Sequence, residues 1–205
     1  MPGRLFQTCP LAEVARWCGA DAAGLDDAPR ANIAPGEEII VLGGDRRFAR
    51  MRWGIIPVGR VNARGRPVLE TIINARSETV FEKSAFEGVG RAVVPVEGWY
   101  EWTGEKRRKT AWRIRPADGG FLAFAAITDR WAAPGGRVVD QVATVTCEPN
   151  EDVRPIHHRM GVLLSPADVE TWLSGKDAAA KALCRPWPDG LLAIEEATDV
   201  DWSAP

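Results

Sequence analysis

The chain has 205 residues, 45% hydrophobic and 26% charged, which is ordinary for a globular protein and disfavours disorder, collagen-like repetition and coiled coil. The formal net charge of −2 taken alone argues against a polyanionic ligand, and no apolar run reaches the ~18 residues that span a bilayer. The first residues lead into no apolar stretch of a secretory signal, and the four cysteines form no Cys-x-x-Cys pair. We therefore expect a cytoplasmic protein with reduced thiols, no structural zinc site and no membrane contact.

Apolar residues at helical spacing predict a short amphipathic helix near residues 10–18, before Gly19. Ser77 is predicted to cap a second helix, and Ser165 followed by Pro166 to begin a third that ends at Gly175, with a last helix over 178–183. Short β-branched or aromatic runs predict strands at 38–42, 48–53, 92–96, 111–114, 120–127 and 138–145. No repeat or linker interrupts the chain. The sequence predicts a single compact α+β domain over 1–205, built around a strongly curved, mainly antiparallel, barrel-like β-sheet with a few short helices.

Charge is distributed unevenly along the chain. From Gly44 to Arg115 there are 16 Lys and Arg against 8 Asp and Glu, which leaves 10 against 20 for the other residues. A contiguous basic excess is typical of nucleic-acid binding, although arginines on solvated faces give the same count. The basic run 106–109, which follows Gly104, predicts the tip of a hairpin.

The two histidines of the chain are adjacent, at His157 and His158. If they lie on a strand, they point to opposite faces, and at most one enters a given pocket. A bare histidine pair is also compatible with a surface or packing role, and an imidazole becomes an acid or base candidate only with partners in reach. No metal-ligand spacing accompanies the pair, so we expect neither a metal nor another cofactor.

Two further segments combine polar and apolar residues. Glu101 lies among Trp99, Tyr100 and Trp102, and such surroundings would desolvate its carboxyl group and raise its pKa toward neutral. On a strand, Trp99 and Glu101 share one face, so core aromatics beside an exposed Glu101 are an equally good reading. In the other segment Asn74 and Arg76 stand where an apolar strand meets a helix, a position suited to phosphate or carbonyl binding.

Seven short motifs, in this order, resemble the SOS-response-associated peptidase (SRAP) family over essentially the whole chain. They are Gly3-Arg4, Asn32-Ile33-Ala34-Pro35, Trp53-Gly54-Ile55-Ile56-Pro57, Ile73-Asn74-Ala75-Arg76-Ser77-Glu78-Thr79, Gly98-Trp99-Tyr100-Glu101-Trp102, Thr146 and Ile156-His157-His158-Arg159-Met160. The resemblance implies a compact α+β domain with a curved sheet and a positively charged cleft. It also implies a function in the DNA damage response, in which single-stranded DNA is recognised at abasic sites, with no obligate protein partner.

The resemblance also implies roles for individual residues. Asn74 would orient the amino terminus and the sugar, Glu101 would transfer protons, and His157 would assist ring opening and later steps. His158 falls where the family usually has an acid or an amide. The implied DNA contacts are phosphate binding by Arg4, Arg76 and Arg159, stacking near the lesion by Trp102, and a further contact by Thr146.

Position 2 departs from the family pattern Met-Cys-Gly-Arg. In that pattern the cysteine, exposed once methionine is removed, closes a stable thiazolidine ring with the sugar aldehyde, whereas this chain has Pro2. Cys9 has no adjacent free amine and cannot close the ring. Proline is small enough for methionine removal, and its secondary amine could form an iminium that promotes β-elimination. The sequence therefore leaves open an amine-dependent abasic-site lyase that uses Pro2, Glu101 and His157, and a non-catalytic single-stranded-DNA binder. A peptidase or metal hydrolase built on the histidines has the least support.

Overall fold

The computed structural model describes residues 2–22, 24–57, 70–82, 86, 88–105, 108–132 and 135–204. The strands are β1 (Arg4–Gln7), β2 (Arg30–Ile33), β3 (Glu38–Gly43), β4 (Phe48–Trp53), β5 (Asn74–Arg76), β6 (Gly90–Val96), β7 (Gly98–Thr103), β8 (Thr110–Pro116), β9 (Leu122–Ala132), β10 (Val138–Cys147), β11 (Met160–Gly161), β12 (Leu163–Leu164) and β13 (Leu192–Glu196). The helices are α1 (Leu11–Trp17), α2 (Ser77–Val80), α3 (Pro166–Ser174) and α4 (Asp177–Ala182). None of the helices in these ranges is long and apolar enough to cross a bilayer.

Five strands close into a barrel. The hydrogen-bonded order is β10, β4, β3, β6 and β9, and β9 pairs again with β10. All these pairings are antiparallel except that of β10 with β4. Short apolar runs such as Leu122–Ile127 of β9 are buried on both faces, because one face lines the barrel and the other is covered. The structure confirms the predicted α+β fold with a curved, barrel-like sheet.

A second sheet covers one side of the barrel. Its order is β13, β8, β7, β1 and β2, all antiparallel. The fully buried Trp99 of β7 meets Phe124 of β9 edge to face, with 5.5 Å between ring centroids. On β6 and β9, α3 is fixed by Trp172, whose indole N–H donates to the carbonyl of Ala92 at 2.8 Å. The contact of Trp99 with Phe124 holds β7, the strand that carries Glu101, against the barrel.

Most predicted elements are confirmed, with shifted ends. The strand over 48–53 and the helix that ends at Gly175 are confirmed, whereas β9 and β10 are longer than predicted. The cap of α2 is Arg76 rather than Ser77. In the basic run, residues 106–107 lie outside the described residues, and β7 and β8 on either side pair as a hairpin. The histidines do not lie on a strand: they precede β11, and their rings stack with centroids 4.4 Å apart. The expectation of opposite faces was therefore wrong.

Gly98 is required at the start of β7 because no side chain fits there. A Cβ at this position would overlap the carbonyl oxygen of Ile114 and lie 2.5 Å from Cζ of Phe6, which pairs with Gly98 across the ladder. We expect Gly98→Ala to lower the free energy of unfolding by about 1–3 kcal/mol, as overpacking typically does. Urea denaturation measures this change. The matched control is Gly44→Ala, whose added Cβ would lie 3.9 Å from its nearest neighbour, and equal stability of the two variants would contradict the argument.

Candidate functional site

The side chain of Asn74, the first residue of β5, binds the second residue of the chain. Asn74 donates through its side-chain amide nitrogen, Nδ2, to the carbonyl oxygen of Pro2 at 3.1 Å. Its Oδ1 accepts from the hydroxyl of Thr144 on β10, which leaves the amide nitrogen facing Pro2. Along β5, Asn74 and the exposed Arg76 share one face, while Ala75 points into the core. Pro2 itself is buried. The fold thus brings together residue 2, Asn74 and Arg76.

Glu101 lies on the strand next to the amino-terminal strand. The ladder pairs Arg4 with Tyr100 and Leu5 with Trp99, so one further step along the same register sets Gly3 opposite Glu101. The side chain of Glu101 belongs to the face of Trp99 and is 3% exposed. Burial raises the pKa of its carboxyl group to about 7, against a weaker lowering by the positive charge of the amino terminus. The predicted desolvation of Glu101 is confirmed, and the reading that left it exposed is wrong.

His157 is held by the backbone of Arg159. The peptide N–H of Arg159 donates to Nδ1 of His157 at 2.9 Å, and the carbonyl oxygen of Arg159 lies 3.1 Å from the same atom. Burial and, to a smaller extent, the positive charge of the amino terminus lower the pKa of His157 to about 4. A neutral ring can accept the N–H of Arg159 at Nδ1 and carry its proton on Nε2. At neutral pH, His157 is therefore an uncharged imidazole.

The residues predicted to bind DNA differ in how far their side chains are exposed. Arg76 is exposed beside Asn74, and the half-buried Arg4 lies at the start of β1, where its Nη1 donates to the carbonyl of Gly3 at 3.3 Å. Trp102 follows Glu101, so its side chain points to the opposite face of β7. There its ring packs on Trp202 with centroids 5.4 Å apart.

The polar groups of Thr146 and Arg159 form hydrogen bonds inside the protein. Thr146 is fully buried, and its hydroxyl bonds the carbonyl oxygen of Ala75 at 3.3 Å. Arg159 donates through Nη2 to the carbonyl oxygen of Thr146 at 2.6 Å and forms a two-point ion pair with Glu78. Its side chain is 11% exposed.

Two residues of this arrangement were missed by the sequence reasoning. Thr144 orients the amide of Asn74, and Glu78 holds Arg159. Glu78 lies inside the quoted motif that contains Asn74, and Thr144 precedes Thr146 by two residues on the same strand face. The position of Glu78 inside the motif was visible in the sequence. The pairing of β5 with β10, which brings Thr144 to Asn74, was not.

The thiols of the chain are poor nucleophiles in this fold. Burial raises the pKa of Cys9, Cys18 and Cys184 to about 11 and that of Cys147 to about 12. All four are therefore protonated at neutral pH, and the thiolate is the reactive form. Cys9 is further tied to Glu97, which accepts its backbone N–H at 2.8 Å. None of these cysteines replaces the thiol that position 2 lacks.

Part of the basic excess is neutralised by internal contacts. Arg50 pairs with Asp27 at 2.7 Å, and Arg113 pairs with Asp199 at the same distance. Arg46 binds the carbonyl oxygen of Cys18 at 3.0 Å. The charge count alone therefore overstates the positive surface that these arginines offer to a nucleic acid.

Comparison with known proteins places the chain in a family. The model of the SOS response associated peptidase (SRAP) family matches residues 1–200. The chain is 32% identical over 180 residues to the abasic site processing protein YoaM of Bacillus subtilis, covering 84% of this chain and 76% of that one. It is 29% identical over 160 residues to the abasic site processing protein YedK of Escherichia coli, covering 73% and 68% of the two chains.

Solved structures share the fold. A protein from Bacteroides thetaiotaomicron superposes with a TM-score of 0.80 at 22% identity, covering 96% of this chain and 92% of that one. A phage-related protein from Bordetella bronchiseptica gives a TM-score of 0.75 at 26% identity, covering 96% and 94%. With the family match over residues 1–200, the relationship suggested by the seven motifs is confirmed, and the chain belongs to the SOS response associated peptidase (SRAP) family.

Proposed function

We propose that this protein binds single-stranded DNA at abasic sites and cleaves it there as a lyase, with the amine of Pro2 as the nucleophile. Family membership and the names of its relatives, abasic site processing proteins, support the substrate. The observation that carries the proposal is the 3.1 Å hydrogen bond from Asn74 to the carbonyl of Pro2, which fixes residue 2 beside β5. We expect the protein to act in the cytoplasm, on DNA of the nucleoid, without a cofactor.

The proposed reaction begins with removal of Met1, which turns the nitrogen of Pro2 into a free secondary amine. An α-amino group has a pKa of ~8, so part of it is neutral at physiological pH. Its lone pair attacks the aldehyde carbon of the ring-opened sugar, and loss of water gives an iminium. The iminium acidifies the neighbouring carbon. Removal of a proton there expels the phosphate one carbon further on, and water then hydrolyses the iminium to return the amine.

Glu101 and His157 supply the proton transfers in this scheme. With a pKa of about 7, Glu101 is partly protonated at neutral pH and can give a proton to the departing water. The resulting carboxylate can then accept the proton that β-elimination removes. His157, with its pKa lowered to about 4, is neutral and available to assist ring opening of the sugar. Asn74 orients both the amino-terminal segment and the sugar.

The DNA strand is held by cationic and aromatic side chains in the proposal. Arg76 is exposed on the same face as Asn74 and can contact a phosphate beside the lesion. Arg4 would contact a second phosphate. Trp102 is half-buried against Trp202 and can offer a base only the part of its ring that this contact leaves open. The proposal gives Thr146 and Arg159 less direct contact with DNA, since the fold engages their polar groups internally.

A non-catalytic binder of abasic or single-stranded DNA is the second candidate. The replacement of the family's cysteine by Pro2 favours it, because no thiol is present at position 2 to form the stable crosslink. Such a protein would keep the DNA contacts of Arg4 and Arg76 without the covalent step. The two candidates differ in whether an adduct with DNA forms at all.

We expect the mature protein, lighter by one methionine in an intact-mass measurement, to form an adduct with abasic single-stranded DNA that borohydride traps. Without reductant the adduct should disappear on heating, since water reverses an iminium. The matched variant is Pro2→Cys, which restores the family's residue and should give a heat-stable crosslink without borohydride. Absence of a trapped adduct from the natural protein at every pH, while Pro2→Cys crosslinks, would leave only the binder.

The rate of strand cleavage should depend on pH through two groups that have opposite effects on the rate as pH rises. The neutral amine increases as pH rises through ~8, whereas protonated Glu101 decreases as pH rises through about 7, so the single-turnover rate should pass through a maximum between these values. Glu101→Gln should lower the rate about 100-fold or more and remove the decline at high pH. The exposed Glu105, changed to Gln, serves as the control. A decline that persists in Glu101→Gln would assign it to another group.

Binding to single-stranded DNA should weaken with salt because phosphate neutralisation releases counterions. Arg76→Ala should reduce the slope of log K against log salt by about 0.7, the value for one phosphate of a single strand. Fluorescence titration at several salt concentrations measures the slope. The control is Arg130→Ala, which removes an exposed arginine paired with Asp140 at 2.8 Å. Equal slopes for the natural protein and Arg76→Ala would exclude a phosphate contact at this residue.

A further inference from the structure

A continuous set of polar contacts joins the segment that contains His157 to β5 and the start of α2. The guanidinium of Arg159 meets both carboxylate oxygens of Glu78, with 2.9 Å between Nη2 and Oε2. The same Nη2 donates to the carbonyl oxygen of Thr146 at 2.6 Å. Glu78 lies four residues after Asn74, and Arg159 lies two residues after His157. We call Glu78, Thr146 and Arg159 the brace.

The two charged members of the brace, Glu78 and Arg159, are unequally exposed. The hydrogen bond from Arg159 lowers the pKa of Glu78 to about 2, so the pair is ionised throughout the range in which the protein works. The side chain of Arg159 is 11% exposed and that of Glu78 49%. A guanidinium so deeply buried needs a counter-charge, because an unpaired buried charge is strongly unfavourable. Glu78 therefore determines whether Arg159 stays against Thr146.

The position of Arg159 in turn fixes the ring of His157. The peptide N–H of Arg159 is a permanent donor, and it points at Nδ1 of His157 at 2.9 Å. The carbonyl oxygen of Arg159 lies 3.1 Å from the same Nδ1, so the backbone of Arg159 offers this atom both a donor and an acceptor. The donor is the nearer of the two, and it favours the neutral ring with its proton on Nε2. The orientation and tautomer of His157 thus follow from the backbone of the residue that the brace holds.

We propose that Glu78 is a positioning residue of the site: through the guanidinium of Arg159 it fixes the backbone that selects the Nε2–H tautomer of His157. Glu78 does not have to touch DNA in this role. The guanidinium of Arg159, which the sequence suggested as a phosphate contact, serves inside the protein as the link between α2 and the histidine. The catalytic consequence rests on the proposed function, whereas the tautomer does not depend on it.

Nitrogen-15 NMR of the full chain tests the proposal directly. The chain has two histidines, so His158→Gln assigns the signals of His157. We expect the Nε2–H tautomer in the natural protein and a mixture of both tautomers in Glu78→Ala. Glu82→Ala is the matched control, since Glu82 forms an ion pair with Lys181 at 2.6 Å on the protein surface. An unchanged His157 spectrum in Glu78→Ala would overturn the proposal.

Further variants separate positioning from loss of folding. Glu78→Gln keeps the size of the side chain and one acceptor oxygen, and Arg159→Lys keeps the charge but cannot bridge Glu78 and Thr146. Each should give the mixed tautomers while the protein stays folded by circular dichroism. Their effects should not add in the double variant, because both break the same brace. A folded Glu78→Gln or Arg159→Lys that keeps the single tautomer would contradict the brace.

Single-turnover cleavage adds the functional readout. If the brace positions His157, Glu78→Gln should slow cleavage about 10- to 100-fold, as small misplacements of catalytic groups do, with little change in DNA affinity. Loss of affinity with an unchanged cleavage rate would instead make Glu78 part of the DNA contact and overturn the positioning role. If the natural protein forms no trapped adduct, the proposed lyase fails, and the tautomer measurement still decides the brace.

Discussion

The burial of two threonine hydroxyls on β10 is the constraint on which the site depends. Thr144 and Thr146 are fully buried, and a buried hydroxyl left without a partner costs about 1–3 kcal/mol. Thr144 finds its partner in the side chain of Asn74, and Thr146 finds its partner in the backbone of Ala75. β5 must therefore lie beside this part of β10. Because Arg159 reaches Thr146 as well, one buried strand collects segments that lie far apart in the sequence.

The sequence predicted well what depends on local physical chemistry. The strand over 48–53 and the helix after Ser165 follow from residue type, spacing and capping, and the structure confirms them. The raised pKa of Glu101 was also predicted, although its cause is burial on the face that Glu101 shares with Trp99 rather than contact with all three aromatic neighbours. The short strands β1, β2, β11 and β12 were not predicted, because each has four residues or fewer and exists only through its partner. The hydrogen bond of Thr144 to Asn74 and the ion pair of Glu78 with Arg159 join segments that lie far apart in the sequence, so no local pattern assigned Thr144 and Glu78 to the site.

The arginines show why the sign of a charge does not identify its role. Arg76 and Arg159 flank the same part of β10, and sequence resemblance gives both the same expected contact with phosphate. Arg76 ends a strand whose middle residue is buried, so its side chain projects outward. Arg159 precedes a strand and turns inward, where Glu78 and Thr146 use its donors. A guanidinium whose two terminal nitrogens both bond inside the protein has fewer donors left for a ligand, which makes Arg159 a better structural link than a phosphate contact.

The contact between Asn74 and residue 2 explains how position 2 can vary without disturbing the site. Asn74 binds the backbone carbonyl of Pro2, and every amino acid has that group. A proline in place of the family's cysteine therefore leaves this anchor intact and alters only the groups that would meet the sugar. A cysteine supplies an amine and a thiol, and together they close a ring that persists. A proline supplies an amine whose ring nitrogen can form only an iminium, and water reverses that bond. With the same anchor, the proposed reaction thus moves from lasting attachment toward release of the cleaved strand.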